Sequence, residues 1–585
     1  MVSIIAQRRD LYLSLFNDLY CDVAEKLRVP IRESQRDLIQ IKNRTECEGL
    51  SFLTKALPQL GKALDKCLSH NEPFACPSTF MTEKGRTTPK LFRYLFQAVI
   101  TPEGYVNPQL DTGFLTELRQ LMYFVYKLEI PCSDELKEKV LLEFEQVDAG
   151  LDKPSNIDQE WLKVASDLIR DIFASFDPAE VKPSHGPGAV ATGERNHEKH
   201  VFRRIYKTIE EVYPFTEYFE YSLGAVADRW HLYEGLESLE HPTAKVVLVP
   251  KDSRGPRIIS CEPLEVQWIQ QGLGRAIVAH LEKSHITGGY VNFTDQSINR
   301  RLALEGSKNH KWVTLDMKEA SDRVSTWLVC ELFAQVPRLL AALLATRSTH
   351  TKLPSGRIVA LKKFAPMGSC LCFPVESVCF WALAVARIVL EDRIARPNRK
   401  GNPWARARGA VFVYGDDIIV RAGDYKPLLQ HFPTLGLLFN SSKCCTAGSF
   451  RESCGCDAYN GVDVTPLRIK KVYDDHRTVH ASVLASYVAL SNAAWKRGYY
   501  RVARLAASMV EAKLGPLPTT CGIRGYLSFD RPIRATQIPP SCKVRFNPHL
   551  QRMEVRSWAL RSTEISVAFS AWSMILRRFT SSTDW

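Results

Sequence analysis

Val411-Phe412-Val413-Tyr414-Gly415-Asp416-Asp417-Ile418-Ile419-Val420 reads as strand, two-residue turn, strand. Apolar runs on both sides of Gly415-Asp416 form the strongest short-range hairpin pattern a sequence offers. The reading sets two carboxylates at a tip between apolar strands. A Gly-Asp-Asp tripeptide alone occurs by chance in roughly a tenth of chains of this length at average composition, so the apolar flanks carry the weight.

A second element completes the thought. Trp312-Val313-Thr314-Leu315-Asp316 is a short apolar strand ending in a carboxylate, followed by a polar segment through Asp322 and Ser325. If that strand pairs beside the hairpin, Asp316, Asp416 and Asp417 converge. Carboxylates so placed repel unless cations lie between them, and such oxygen ligands suit Mg²⁺ or Mn²⁺. Two ions about 3.5 to 4 Å apart activate an attacking hydroxyl and stabilise a leaving pyrophosphate oxygen, which is the chemistry of nucleotidyl transfer. The bland alternative is a solvated turn plus an unrelated strand-end Asp.

Composition is consistent with this without deciding it. At 585 residues and 45% apolar content, the chain is long enough for two or three subdomains. No run reaches about 18 uncharged apolar residues, and the nearest, 378–386, is short, so the chain reads as soluble. The N-terminus sets Arg8, Arg9 and Asp10 after a short apolar run, which is not the order of a secretory signal. Sixteen cysteines then read as reduced thiols, and the Cys370/Cys372, Cys444/Cys445 and Cys454/Cys456 pairs are too closely spaced for the usual zinc pattern. A net charge of +13 is compatible with a polyanionic partner and does not by itself specify one.

Along the chain, residues 11–172 carry mainly helical periodicity, as in Leu115, Leu118, Leu121, Val125 and Leu128. Lys182-Pro183-Ser184-His185-Gly186-Pro187-Gly188-Ala189 breaks it, as either a phosphate-approaching loop or a plain connection. Residues 246–249 read as a strand leading into Lys251, Arg254 and Arg257 on one tight loop, with Ile258 and Ile259 starting a return strand. Those three cations are suited to clamp a triphosphate. Asp322 and Ser369 are suited to hydrogen-bond a ribose 2′-hydroxyl. Pro366-Met367-Gly368-Ser369 is a sharp turn before an apolar helix from about Pro374. Lys443 is a candidate general acid towards pyrophosphate, against the ordinary reading of an inert surface lysine. Residues 393–408 carry Arg396, Arg399, Lys400, Arg406 and Arg408 among prolines and glycine, so the stretch reads as a loop, either an RNA contact through Arg399 and Arg406 or a solvated linker. Helical patterning returns over 481–510.

These elements stand in the order of the motifs lettered F, A, B, C and D in polymerases. They resemble the replicases of the small RNA bacteriophages, the leviviruses. Further stretches look like that family's own signatures: Asn292-Phe293-Thr294-Asp295-Gln296-Ser297-Ile298-Asn299, Glu305-Gly306-Ser307, Phe450-Arg451-Glu452-Ser453-Cys454-Gly455 and Gly461-Val462-Asp463-Val464-Thr465-Pro466. The resemblance covers about 182–469.

The resemblance implies an α+β right-hand polymerase whose antiparallel palm sheet carries the catalytic aspartates. The expected divisions are 1–260 for the N-terminal region and fingers, 261–470 for the palm and 471–585 for the thumb and C-terminal region. The implied activity is RNA-dependent RNA synthesis that copies a positive-strand phage genome without a primer, using two Mg²⁺ ions or Mn²⁺ in their place. By motif match, Asp316, Asp416 and Asp417 are carried over as catalytic metal ligands, Lys251, Arg254 and Arg257 as nucleotide-binding cations, and Asp322 as the sugar contact. The implied partners are RNA template and product, ribonucleoside triphosphates, host translation elongation factors Tu and Ts and a large ribosomal protein, with no membrane, in the cytoplasm of the infected bacterium. The basic stretch 393–408 departs from the shorter, less basic link expected of the family.

Two competing readings are weaker. Reverse transcriptases resemble Tyr-x-Asp-Asp with Ala or Met at x, whereas Gly415 stands here and the polar Asp322 follows Asp316. A non-catalytic RNA-binding protein could keep the fold and lose the chemistry, but all three carboxylates are present.

Overall fold

The two apolar runs around Gly415-Asp416 are strands Val411–Tyr414 and Asp417–Arg421, paired antiparallel with Tyr414 opposite Asp417. Strand Trp312–Asp316 pairs antiparallel with the second of them, so the sheet order is 312–316, 417–421, 411–414. Its free flank is taken up by the segment after Gly436: the amides and carbonyls of Thr314 and Cys445 exchange hydrogen bonds, and Lys318 N–H donates to the Leu438 carbonyl. On the far side, Val291 bridges Val413 in parallel.

In this computed structural model the described residues are 2–220, 224, 227, 230–395, 403–474, 479–520, 525–532 and 542–560. They cluster into two compact units. Of the described residues, the first comprises those within 2–133, Pro250–Pro256 and those within 462–560, the second those within 134–249 and 257–461. Both units gather stretches that are discontinuous in sequence. Inside the first unit, segments far apart in sequence fold together. The Asp22 carboxylate accepts from the backbone amides of Arg501 and Val502, satisfying donors at the start of helix Tyr500–Leu514. Tyr12 and Tyr487 share a buried hydroxyl contact at 3.3 Å.

The second unit is organised by helix Cys372–Ala395. Sequence reading found only a short apolar run here. The helix is in fact long and apolar enough to cross a bilayer, with a mean hydropathy of 1.7 over its best window, but 94% of that window is buried inside the protein. It is a core helix apolar on all sides because it is covered on all sides. Trp381 Nε1 donates to the Val411 carbonyl and Trp161 Nε1 to the Leu383 carbonyl, so the indoles fix hairpin and helix Gln159–Phe173 to it. Two other expectations shift. The cationic loop after 249 is a two-residue turn, with Lys251 inside strand Thr243–Asp252 and Arg257 inside strand Gly255–Cys261. The basic stretch is helical where it is described, as the end of Cys372–Ala395 and as helix Pro403–Arg408, and Arg406 in it is paired with Asp392 and Asp424. Among the described residues all cysteines are free thiols.

Candidate active site

The tip of the hairpin is built by backbone conformation. Gly415 adopts φ +63°, a left-handed conformation, and a Cβ there would run into the Phe373 ring. Its N–H donates to Ser377 Oγ at 3.1 Å, on the core helix. Phe373 packs edge-on against both Phe293 and Tyr414, and Gln296 Nε2 reaches the Tyr414 hydroxyl at 3.1 Å. The turn is thereby wedged between the core helix and the segment after Tyr290.

Antiparallel register sets Asp316 directly across from Asp417. Met317 N–H donates to the Asp416 carbonyl at 3.3 Å, which brings Asp416 to the same end of the sheet. Asp316 is further engaged from the flank, by Lys443 Nζ on Oδ1 at 2.9 Å and by Asn440 Nδ2 on Oδ2 at 3.2 Å. Asp417 is gripped from below, where Cys454 N–H donates to its Oδ2 at 2.8 Å.

Electrostatically this is a crowded anionic corner. Burial, then the charge of Asp416, pushes the Asp417 carboxyl up to about 6, against the pull of the Cys454 amide and with Asp316 adding to the rise. Glu376, buried on the core helix, is driven well above the carboxylate range by burial and next by Asp416. Glu452 is pushed up by burial and Asp457. Burial disfavours the charge of Lys443, but Asp316 and Glu452 outweigh it and raise its pKa. Among the described residues no group of three or more His, Cys, Asp or Glu side chains already encloses a metal position. The donor set nevertheless fits a hard divalent cation, since it is all carboxylate oxygen and its members destabilise one another's charge.

The signature stretches turn out to be the support of this corner. Strands Phe450–Ser453 and Cys456–Tyr459 form a hairpin whose turn residues, Cys454 (φ +48°) and Gly455 (φ +70°), are both left-handed, and it is this turn that aims the Cys454 amide at Asp417. Arg451, fully buried, donates to the carbonyls of Trp312, Ala447 and Phe450. Asn299 Nδ2 lies between the Asp417 carbonyl and Ser453 Oγ at 3.5 and 3.4 Å. Gly306 admits the backbone of Trp312, where a Cβ would meet its carbonyl oxygen at 2.7 Å. Sequence reasoning missed Cys454, Asn440 and Ser377. A Cys-Gly pair between two four-residue runs was the available signal for the first.

The remaining candidates fall in several places. Asp322 lies on the short helix Ala320–Arg323 and takes a hydrogen bond from Lys363 Nζ at 2.9 Å. Ser369 is buried in the turn before the core helix, and its carbonyl accepts from the Cys372 N–H. Nearby, Glu262 accepts from Ser348 Oγ. Arg254 is paired through Nη2 with Asp252 at 2.7 Å and stands over the Tyr126 ring at 4.9 Å. Lys251 and Arg254 belong to the first unit, Arg257 and the carboxylates to the second. Arg406 bridges Asp392 and Asp424, at 2.6 and 3.0 Å. Arg399 lies outside the described residues.

Residues 199–482, which include this sheet end and its three aspartates, match the family model described as RNA replicase, beta-chain. The chain resembles the RNA-directed RNA polymerase beta subunits of the leviviruses. It is 37% identical over 243 residues to the RNA-directed RNA polymerase subunit beta of Qbeta virus (strain MX1), a match covering 42% of this chain and 37% of that one. It is 34% identical over 230 residues to the RNA-directed RNA polymerase beta chain of Escherichia phage MS2, covering 39% and 38%. The matched stretch thus spans little more than a third of the length of these curated relatives. Among solved structures, the RNA-dependent RNA polymerase of a human picobirnavirus aligns over 67% of this chain and 76% of its own, with 10% identity and a TM-score of 0.37.

Proposed function

We propose that this chain is an RNA-dependent RNA polymerase that replicates a positive-strand RNA phage genome, starting without a primer. The observation that carries the reading is the direct register of Asp316 with Asp417 beside the Gly415-Asp416 turn, inside the stretch that matches the replicase family model. Asp316, Asp416 and Asp417 would hold two divalent cations, Mg²⁺ or Mn²⁺ in its place. When bound, the ions would supply charge that activates the attacking 3′-hydroxyl and offsets the leaving pyrophosphate.

The protein's own groups do the rest. Cys454 N–H and Asn440 Nδ2 fix the planes of the Asp417 and Asp316 carboxylates, so that their oxygens are oriented before substrate arrives. Lys251, Arg254 and Arg257 bind the triphosphate. Asp322 and Ser369 take the ribose 2′-hydroxyl. Lys443 holds its proton tightly against Asp316, so its service as general acid requires the ammonium to leave that carboxylate for the departing pyrophosphate. The basic stretch 393–408 contacts RNA through Arg399 and Arg406. In this reading 1–260 supply the N-terminal region and fingers, 261–470 the palm and 471–585 the thumb and C-terminal region. Work in the bacterial cytoplasm with elongation factors Tu and Ts and a large ribosomal protein belongs to the same proposal.

Purified chain given Mg²⁺, labelled ribonucleotides and an unprimed RNA, with and without bacterial extract, is expected to yield template-length RNA. Products that require a primer would remove the initiation claim. Products built from deoxyribonucleotides would favour reverse transcription.

A further inference from the structure

Lys363 is the most completely enclosed cation near the site, with no exposed side-chain surface. Its Nζ lies 2.9 Å from Asp322 Oδ1 and 3.9 Å from Asp148 Oδ1, and 3.5 Å above the centre of the Phe144 ring. The chain around it is clamped on both edges. The Asp148 carboxylate accepts from the amides of Lys362 and Lys363, at 3.0 and 2.9 Å. The buried Arg347 guanidinium donates to the carbonyls of Leu361, Lys363 and Phe364. Residues 362–364 also pair with 324–326, immediately after Asp322, through Thr326 N–H to the Lys362 carbonyl and Phe364 N–H to the Val324 carbonyl.

Burying an ammonium carries a desolvation penalty even when it is paired, and an apolar side chain of the same length would fill this space without that cost. The arrangement therefore does little for stability that a methionine could not do. What it does provide is a carboxylate fixed in position. Lys363 donates to Oδ1 of Asp322, whose side chain remains about a quarter exposed, and so holds one carboxylate oxygen while the other keeps its capacity to accept.

We propose that Lys363 is a positioning residue for sugar selection: with Asp148 and Phe144 behind it, it holds Asp322 so that one carboxylate oxygen accepts the ribose 2′-hydroxyl. This rests on the reading of Asp322 as the sugar contact. Lys363 touches neither substrate nor metal and acts through Asp322 alone. A mobile Asp322 would still accept a hydrogen bond, but the ordering cost would fall on ribonucleotide binding.

The test compares full-length wild type, Lys363→Met, Lys363→Gln and Asp322→Ala. For each, kcat and KM are measured with a ribonucleoside triphosphate and with its 2′-deoxy counterpart, on one RNA template with Mg²⁺. Thermal shifts induced by the same two nucleotides give a readout that needs no turnover. Both Lys363 variants are expected to lose at least about fivefold of the ribonucleotide preference, through a raised ribonucleotide KM, while use of the deoxynucleotide stays near wild type. Lys363→Gln keeps one hydrogen-bond donor and serves if Lys363→Met does not fold. A merely structural lysine would lower both nucleotides together, and that result overturns the proposal. If Asp322→Ala loses the preference while both Lys363 variants keep it, Lys363 has no part in selection. If Asp322→Ala keeps the preference, the reading of Asp322 itself fails and takes the proposal with it.

Discussion

Gly415 is where backbone conformation and chemistry meet most tightly. Its φ of +63° and the Phe373 ring beside it leave no room for a side chain. Gly415→Ala is expected to cost about 1–2 kcal/mol for the left-handed conformation alone, with the ring contact added to it. Urea unfolding would register this as a lowered midpoint, and an unchanged midpoint would mean that the turn is not held as described. A second residue-scale prediction concerns Glu262. Burial pushes its carboxyl from an ordinary 4.5 up to about 7, against the hydrogen bonding of Ser348, Gln270 and Ser369. A folded-state pKa above the unfolded one means that the group's contribution to stability is complete below about pH 4.5 and is lost as pH rises through about 7. Glu262→Gln mimics the protonated acid, so its melting temperature should fall less than that of wild type between about pH 5 and pH 8. Parallel profiles for the two proteins would contradict the assignment.

At the scale of elements, the sheet end depends on pieces distant in sequence. Arg451 ties the Trp312 carbonyl to the 447–450 turn from inside the core. Arg451→Met leaves these carbonyls without their charged donor and should destabilise the protein by about 3 kcal/mol. Loss of the Cys454 grip on Asp417 should follow, seen as activity that falls further than stability does. Near-wild-type unfolding of the variant would remove Arg451 from the account. The strand, turn and strand around Gly415-Asp416 were legible because β-branched and aromatic runs flank a glycine that the turn needs. The pairing of Trp312–Asp316 beside it was legible only as a condition, since no local pattern states which strands meet. Helix Pro403–Arg408 was read as loop because prolines and a glycine punctuate the basic stretch. Asp392 and Asp424, brought to Arg406 by the fold, neutralise part of the stretch's charge. Lys363 escaped notice for a similar reason, because its burial comes from Phe144 and Asp148, more than two hundred residues away.

Across the whole molecule, the two compact units gather discontinuous stretches, a feature that hydrophobic periodicity does not carry. The charge of +13 acts at this scale too. Arg399→Ala with Arg406→Ala is expected to flatten the salt dependence of RNA binding, because fewer phosphates are then neutralised. Arg406→Ala alone should mainly cost stability, as its guanidinium already bridges Asp392 and Asp424. Equal salt slopes for wild type and the double variant would reduce the stretch to a linker. The central claim, that three converging carboxylates at a sheet end perform RNA synthesis, is tested most directly by Asp416→Asn assayed for both ribonucleotide incorporation and RNA binding. The expected result is loss of incorporation with RNA affinity largely retained, whereas incorporation at the wild-type rate would contradict it.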